Sequence, residues 1–261
     1  PGHLINEPVG KLRSSGSVLF IAAIAIKERL RRKMRGWPPD LSPALIGREA
    51  ELLQLRPRLR EAAQGRGSVT VLRGEAGTGK TRLVEEMSGI AAELGYPVLR
   101  GQAEAAAGKL PYGLFAGVLA DCAALSEAAR ETVAQLVGQL APHLWSTVFP
   151  DVTAPDEQEP ADSPELRQTL LLARLVPLLS RLAQDRPVLV AVDDLHWADS
   201  SSLQAFQHLA QQVGAASAEG ASLIVVAAVR PEEDERGKGA LVRRMMQELH
   251  RRESFRIVDI G

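Results

Sequence analysis

The sequence predicts an α/β protein in three layers, with helices on both faces of a mainly parallel sheet of five strands. Short apolar runs alternate with longer segments of helical periodicity five times along the chain, which is the pattern of a doubly wound sheet. Aromatic residues make up only 4% of the composition, which suits helices packed on a parallel sheet better than an all-β sandwich. The 261 residues are enough for one large domain with a buried core.

Each strand and helix is expected from its local pattern. The apolar runs 69–72, 96–100, 188–192, 223–229 and 255–258 have few polar positions, as expected for strands covered on both faces. The helical segments are 49–64, 80–94, 114–140, 165–184, 200–213 and 240–251. Leu52, Leu55 and Leu59 share one face of the first helix, and Gly95 ends the second.

Composition divides the chain into three parts. Residues 1–36 end in a basic stretch, which we interpret as an amphipathic helix with a solvated basic face; contact with an acidic partner domain or a membrane surface is the alternative. Residues 37–43 contain three prolines and are expected to form an extended linker. Residues 44–261 form the regular core, in which the acidic, proline-containing stretch 151–164 is expected to be a mobile surface loop.

The charge balance argues against a nucleic-acid-binding surface. The chain has 31 Lys and Arg against 32 Asp and Glu, a formal net charge of −1, and we find no basic groove with interleaved aromatic residues. Cys122 is the single cysteine, so we expect no internal disulfide and a reducing, cytoplasmic location. The apolar run at 18–26 is too short to span a bilayer, which takes about 20 residues.

A glycine-rich turn carries a phosphate-binding pattern. It reads Gly74-Glu75-Ala76-Gly77-Thr78-Gly79-Lys80-Thr81 and fits G-x-x-x-x-G-K-[ST] at every fixed position, between a strand and a helix. Glycines allow successive N–H groups to point at phosphate oxygens, and the helix N-terminus adds partial positive charge. Lys80 would neutralise β- and γ-phosphate oxygens and Thr81 would bind Mg²⁺; Arg82 is a further candidate contact. The pattern predicts a P-loop nucleoside-triphosphatase fold that binds ATP or ADP with Mg²⁺.

A pair of aspartates follows the most apolar strand. Asp193 and Asp194 stand directly after the run 188–192, and ligands of open parallel sheets bind at the carboxyl ends of the strands. Asp193 would hold Mg²⁺ through a water molecule and complete the cation site with Thr81. Asp194 would polarise the attacking water as a base, although many P-loop hydrolases have a longer Glu there. A turn or helix-start role is the alternative for both.

Four segments together resemble a known family. Residues 193–199 read Asp-Asp-Leu-His-Trp-Ala-Asp, and residues 45–52 read Leu-Ile-Gly-Arg-Glu-Ala-Glu-Leu. With Leu-Pro-Tyr-Gly-Leu-Phe at 110–115 and Val-Arg-Pro-Glu-Glu at 229–233, they make residues 43–261 resemble the AAA-like ATPase module of STAND-class signalling proteins. That class includes large ATP-binding LuxR-type transcriptional regulators and the ATPase parts of some bacterial adenylate cyclases and kinases.

The resemblance implies roles for residues outside the phosphate-binding loop. Arg48 would lie near the nucleotide base or the sensor surface, with local pairing to Glu49 or Glu51 as the alternative. Arg230, at the end of the fourth strand, would read the γ-phosphate and join Lys80 and Asp194 as a catalytic candidate.

The resemblance also implies roles for the loop after the aspartate pair. His196, Trp197 and Asp199 would shape the loop beside the Mg²⁺ site, with Trp197 either packing or stacking on the base. Members of the family continue past the fifth strand into a helical lid, which we expect this core to lack.

The leading functional hypothesis is a nucleotide-controlled switch with slow ATP hydrolysis. Its partners would be the nucleotide, other domains of the parent chain or a second copy that associates on ATP binding. A nucleotide-binding scaffold without catalysis, or an ATPase module attached to an adenylate cyclase or protein kinase, is the alternative. A nucleic-acid-dependent motor is disfavoured by the neutral charge.

Overall fold

The computed structural model describes residues 47–103, 110–154, 163–231 and 238–261. The expected N-terminal segment 1–36, the linker 37–43 and residues 155–162 of the acidic stretch lie outside these ranges. No helix of the described residues is long and apolar enough to cross a membrane.

The described strands form one parallel sheet. They are β1 (Ser68–Arg73), β2 (Val98–Gln102), β3 (Val188–Asp193), β4 (Leu223–Val229) and β5 (Phe255–Asp259). Their order is β2-β3-β4-β1-β5, and every neighbouring pair is parallel, which confirms the expected fold class. Strand β1 precedes the glycine-rich turn, and β3 ends at the first residue of the aspartate pair. These two strands are therefore separated by β4.

The helices follow the predicted segments with three main differences: one expected helix is two, the short helix Trp145–Val148 was not expected, and the helix from Ser200 runs five residues past its predicted end at 213. They are α1 (Glu49–Ala62), α2 (Lys80–Glu93), α3 (Gly113–Ala123), α4 (Glu127–Leu140), α5 (Trp145–Val148), α6 (Pro164–Asp185), α7 (Ser200–Ala218) and α8 (Lys238–Leu249). The single helix expected over 114–140 is two helices, because the Ser126 side chain accepts a hydrogen bond from Ala129 N and so starts α4. Helix α2 ends at Glu93, one residue before its predicted end at 94.

The core lies on both faces of the sheet. All seven residues of β4 are buried, as are all residues of β3 except the terminal Asp193. Helices α1 and α2 pack together, and α2 packs on β3 and β4; α6 and α7 pack together and contact β4 as well. This arrangement is the expected three-layer architecture, and it leaves the carboxyl ends of the strands as the place where polar side chains gather.

Two glycines bring α3 unusually close to β2. A Cβ added at Gly117 would lie 2.5 Å from the Arg100 carbonyl oxygen, and one at Gly101 would lie 2.7 Å from the Leu114 carbonyl oxygen. Only glycine allows the two backbones to approach so closely. The contact fixes the start of α3 beside the carboxyl edge of the sheet.

Candidate nucleotide-binding site

The loop between β1 and α2 has the backbone that its glycines predict. Gly77 and Gly79 have φ of 81° and 87°, in the left-handed region that side chains with a Cβ rarely adopt. Gly74 serves another purpose, since a Cβ there would collide with the Ile260 carbonyl oxygen that follows β5. The loop is thus held against the end of the neighbouring strand.

Lys80 begins α2 and turns back over its own loop. Its Nζ donates a hydrogen bond to the Glu75 carbonyl oxygen at 2.6 Å, and Thr78 Oγ1 lies 3.4 Å from the same nitrogen. Burial, together with the nearby charge of Arg230, lowers the pKa of the Lys80 ammonium. A buried ammonium held on a loop carbonyl is available to exchange that carbonyl for a phosphate oxygen.

Asp193 and Thr81 meet at the carboxyl end of the sheet. The Asp193 carboxylate is hydrogen-bonded by the Thr81 hydroxyl, and its Oδ1 accepts from Asp194 N at 2.9 Å. Burial raises the pKa of Asp193, and Asp194 adds to the effect. One carboxylate and one hydroxyl fit Mg²⁺, which takes one or two protein ligands and completes its shell with water and phosphate oxygens.

Among the described residues, no group of three or more His, Cys, Asp and Glu side chains could hold a metal ion by itself.

The chain turns sharply after Asp193. Asp194 has φ 52° and ψ 39°, a left-handed conformation that Asp tolerates better than most residues. Its carbonyl oxygen accepts from Trp197 N at 2.8 Å and closes a short 3₁₀ turn over 195–197. A turn was the alternative that the sequence offered for the aspartate pair, and this turn brings the His196 ring close to the Asp194 side chain.

His196 is buried beside the aspartate pair. It is 2% exposed, and neither ring nitrogen has a hydrogen-bond partner. Its Nε2 lies 3.8 Å from Asp194 Oδ1, which is too far for a hydrogen bond. Burial, then the charges of Arg230 and Lys80, lower the pKa of His196 to about 4, so the imidazole is neutral at neutral pH. Trp197 packs its ring 5.1 Å from that of His196 but is 38% exposed.

Arg230 follows β4, the strand between β1 and β3. Its positive charge lowers the pKa of both Lys80 and His196, so its guanidinium lies within electrostatic range of both side chains.

Arg48 is tied to the loop and to its own helix. Its Nη2 donates to the Thr78 carbonyl oxygen at 2.9 Å and to the Gly261 carbonyl oxygen at 2.5 Å. Its Nη1 pairs with Glu51 at 2.7 Å, so the local pairing and the contact with the loop occur together. The other flanking arginine, Arg82, forms an ion pair with Glu85 at 3.5 Å.

Asp199 joins two of the family-like segments. Its Oδ1 accepts from Ser202 N at 2.9 Å, which caps α7, and from Tyr112 N at 3.3 Å. Ser202 Oγ donates to Asp199 Oδ2 at 2.5 Å and accepts from Leu114 N at 3.4 Å. The sequence did not indicate that this cap also holds the start of α3. In the sequence, residues 110–115 and 193–199 are two separate family-like segments, and nothing in either indicates that they are in contact.

These features define a nucleotide-binding α/β domain of the P-loop class. A family model described as the AAA ATPase domain matches residues 44–226, which is most of the chain. The protein therefore belongs to the AAA ATPase domain family.

Two solved structures show the extent of similarity in fold. Cdc6p from Pyrobaculum aerophilum is 15% identical with a TM-score of 0.47, over 87% of this chain and 49% of that chain. AMPPCP-bound DnaA from Aquifex aeolicus is 13% identical with a TM-score of 0.37, over 82% of this chain and 46% of that chain. The present chain thus spans about half the length of these proteins. A search of curated protein sequences gave no match.

Proposed function

We propose that this domain is a nucleotide-controlled switch that binds ATP with Mg²⁺ and hydrolyses it slowly, within a bacterial signalling or transcriptional regulator. The observation that carries the proposal is the meeting of Thr81 with Asp193 beside the buried Lys80. Membership of the AAA ATPase domain family supports nucleotide binding. The resemblance to STAND-class proteins supports the regulatory role and a cytoplasmic location.

The domain binds the nucleotide mainly through its phosphate groups. The left-handed glycines at 77 and 79 expose loop N–H groups, and the start of α2 adds its partial positive charge. Lys80 leaves the Glu75 carbonyl for the β- and γ-phosphate oxygens, and Thr81 and Asp193 would hold Mg²⁺, which would neutralise phosphate charge. Arg82 and Arg48 flank the loop and complete the binding surface.

Hydrolysis needs a polarised water and a charge on the terminal phosphate. Asp194 follows the Mg²⁺-binding aspartate and acts as the base for the attacking water. Arg230 approaches from the strand between β1 and β3 and neutralises charge on the γ-phosphate. The short Asp side chain holds water less closely than Glu would, which accounts for slow turnover.

The switch depends on contacts that differ between the ATP and ADP states. A ligand shifts an equilibrium only by its differential affinity for the two states, and the γ-phosphate contact with Arg230 is such a difference. Asp199 connects the loop after the aspartate pair to Tyr112 at the start of α3, so a change in that loop reaches the helical layer. Other domains of the parent chain, or a second copy, would respond to it.

Calorimetry with ATP and ADP in Mg²⁺ tests the proposal on this chain and on Lys80→Ala. We expect micromolar binding, a preference for ATP, and loss of binding in Lys80→Ala. Arg60→Ala, which removes a positive charge from the exposed side of α1, is the matched control and should bind as the unmodified chain does. Absence of binding by the unmodified chain would contradict the proposal.

A nucleotide-binding scaffold without catalysis is the second candidate. It is favoured by Asp194, whose side chain is shorter than that of Glu. The Asp194 Oδ1 atom lies 3.8 Å from His196 Nε2, which is too far for a hydrogen bond. Phosphate release assays separate the two candidates: turnover that falls strongly but measurably in Asp194→Asn supports the switch with hydrolysis, and binding without turnover by the unmodified chain supports the scaffold.

A further inference from the structure

We propose that His196 is a positioning residue for ATP hydrolysis: its Nε2–H closes onto the Asp194 carboxylate when nucleotide is bound and orients that carboxylate toward the attacking water. The inference rests on the proposed function and adds a residue to it.

The first observation is the unsatisfied state of the imidazole. His196 is 2% exposed, yet Nδ1 and Nε2 both lack a hydrogen-bond partner. Buried polar side chains are nearly always hydrogen-bonded, and an exception calls for an explanation such as a catalytic role or a missing water or ligand. A histidine kept only for packing could be replaced by an apolar ring without that cost.

The second observation is where the ring lies. His196 Nε2 is 3.8 Å from Asp194 Oδ1, and the ring shares its electrostatic surroundings with Lys80, Arg230 and Asp193. Every charged group that acts on this imidazole is thus also a candidate contact for phosphate, Mg²⁺ or water. The ring lies at the phosphate end of the site.

The third observation is the protonation state of the His196 imidazole, which is neutral at neutral pH. A neutral ring carries one N–H and one lone pair, and a carboxylate can only accept, so the proton on Nε2 is the one that suits Asp194. Catalytic hydrogen bonds are often long before ligand binding and tighten in the complex. A closure of about 1 Å turns the 3.8 Å separation into a hydrogen bond of normal length.

The backbone at Asp194 makes such a closure feasible. Its left-handed conformation and the Asp194–Trp197 hydrogen bond form a tight turn, so the carboxylate and the imidazole are held on the same short segment. Asp193, which would hold Mg²⁺ together with Thr81, is one residue earlier on the same segment.

Three variants of the whole chain test the inference. His196→Phe keeps the ring volume without nitrogens, His196→Gln keeps an N–H near the Nε2 position, and Asp194→Asn removes the negative carboxylate. His208→Phe, on α7 away from the site, is the matched control. Turnover by phosphate release, ATP affinity by calorimetry and unfolding in urea are measured for each.

We expect His196→Phe to lower kcat on the order of 10- to 100-fold, with ATP affinity within about threefold and unfolding at an equal or higher urea concentration. His196→Gln should keep most of the rate. The double variant Asp194→Asn with His196→Phe should be no slower than Asp194→Asn alone, because the histidine acts through the aspartate.

Each other outcome overturns the inference. Unchanged kcat in His196→Phe, or losses that multiply in the double variant, would show that His196 does not act through Asp194. Slower turnover with earlier unfolding in both His196 variants would assign it a structural role. ATP binding without turnover by the unmodified chain would remove the step that His196 serves and leave nucleotide binding intact, whereas absence of binding would remove the proposed function as well.

Discussion

Arg48 donates a hydrogen bond from Nη2 to the main-chain oxygen of Thr78, 2.9 Å away and thirty positions later in the sequence. The residue that precedes α1 therefore holds the phosphate-binding loop from outside. The same guanidinium pairs with Glu51 at 2.7 Å, so its orientation is fixed by α1. The loop conformation depends on a residue that is not part of the loop motif.

Replacement of Arg48 should weaken nucleotide binding. We expect Arg48→Ala to lower ATP affinity by about ten- to a hundredfold, since a hydrogen bond from a charged group is worth about 1.5–3 kcal/mol. Arg48→Lys should recover little, because a single ammonium cannot reproduce the planar fork. Calorimetry against Arg60→Ala as control checks this, and an affinity within twofold of the unmodified chain would contradict it.

The first glycine of the loop should not tolerate a methyl group. A Cβ at Gly74 would collide with the Ile260 carbonyl oxygen and lie 2.9 Å from Thr78 Oγ1, so Gly74→Ala must displace the loop. We expect ATP binding to fall below detection. Gly89→Ala, in the middle of α2 with no neighbour within 4 Å, is the control and should gain up to about 1 kcal/mol of stability. Normal ATP binding by Gly74→Ala would refute the prediction.

Asp193 should make ATP binding sensitive to Mg²⁺. The carboxylate and the Thr81 hydroxyl meet in the structure, so Mg²⁺ should raise the ATP affinity of the unmodified chain. Asp193→Asn should bind ATP with an affinity that barely changes when Mg²⁺ is added or chelated. Asp185→Asn, at the exposed end of α6, is the control. An equal response to Mg²⁺ in Asp193→Asn would rule out this role.

Asp199 should contribute more stability than an ordinary helix cap. Its carboxylate accepts from Ser202 N and Tyr112 N, whereas Ser126 caps α4 with one bond to Ala129 N. We expect Asp199→Ala to lower the free energy of unfolding by about 2 kcal/mol and Ser126→Ala by about 1 kcal/mol. Urea unfolding measures both, and equal losses would show that the contact with α3 adds nothing.

The strands and the loop motif could be predicted because their causes are local. The apolar run 223–229 coincides with β4 at both ends, since a strand covered on both faces needs apolar side chains throughout. The glycine spacing likewise requires left-handed backbone at Gly77 and Gly79. The break between α3 and α4 also has a local cause, Ser126, but helical periodicity on both sides concealed it.

The parts that could not be predicted depend on contacts distant in sequence. Nothing near Asp199 indicates that Tyr112 N lies within 3.3 Å of its carboxylate. The surroundings of His196 likewise depend on Arg230, which follows β4, and on Lys80 from α2. These residues come together only because the sheet order places β4 between β1 and β3. Binding and hydrolysis of nucleotide by these residues remain predictions.

The stability of the domain should depend on pH through His196. Burial, then Arg230 and Lys80, lower the pKa of this side chain to about 4 in the folded state, against about 6.5 when it is unfolded. Between these values the unfolded chain binds the proton and the folded chain does not, so stability falls as the pH drops from 6.5 to 4. Above pH 6.5 the domain has the full free energy of unfolding that a neutral, buried His196 allows. Protonation of His196 in the unfolded chain lowers that free energy by at most about 3 kcal/mol at low pH.

Urea unfolding at pH 7 and pH 4.5 measures this dependence. His196→Phe should lose less stability on acidification than the unmodified chain, while His208→Phe should lose about as much as the unmodified chain. Asp193 has a raised pKa and shifts stability in the opposite direction, but it is present in all three proteins and cancels in the comparison. Parallel losses in His196→Phe and the unmodified chain would show that the imidazole is not buried in its neutral form.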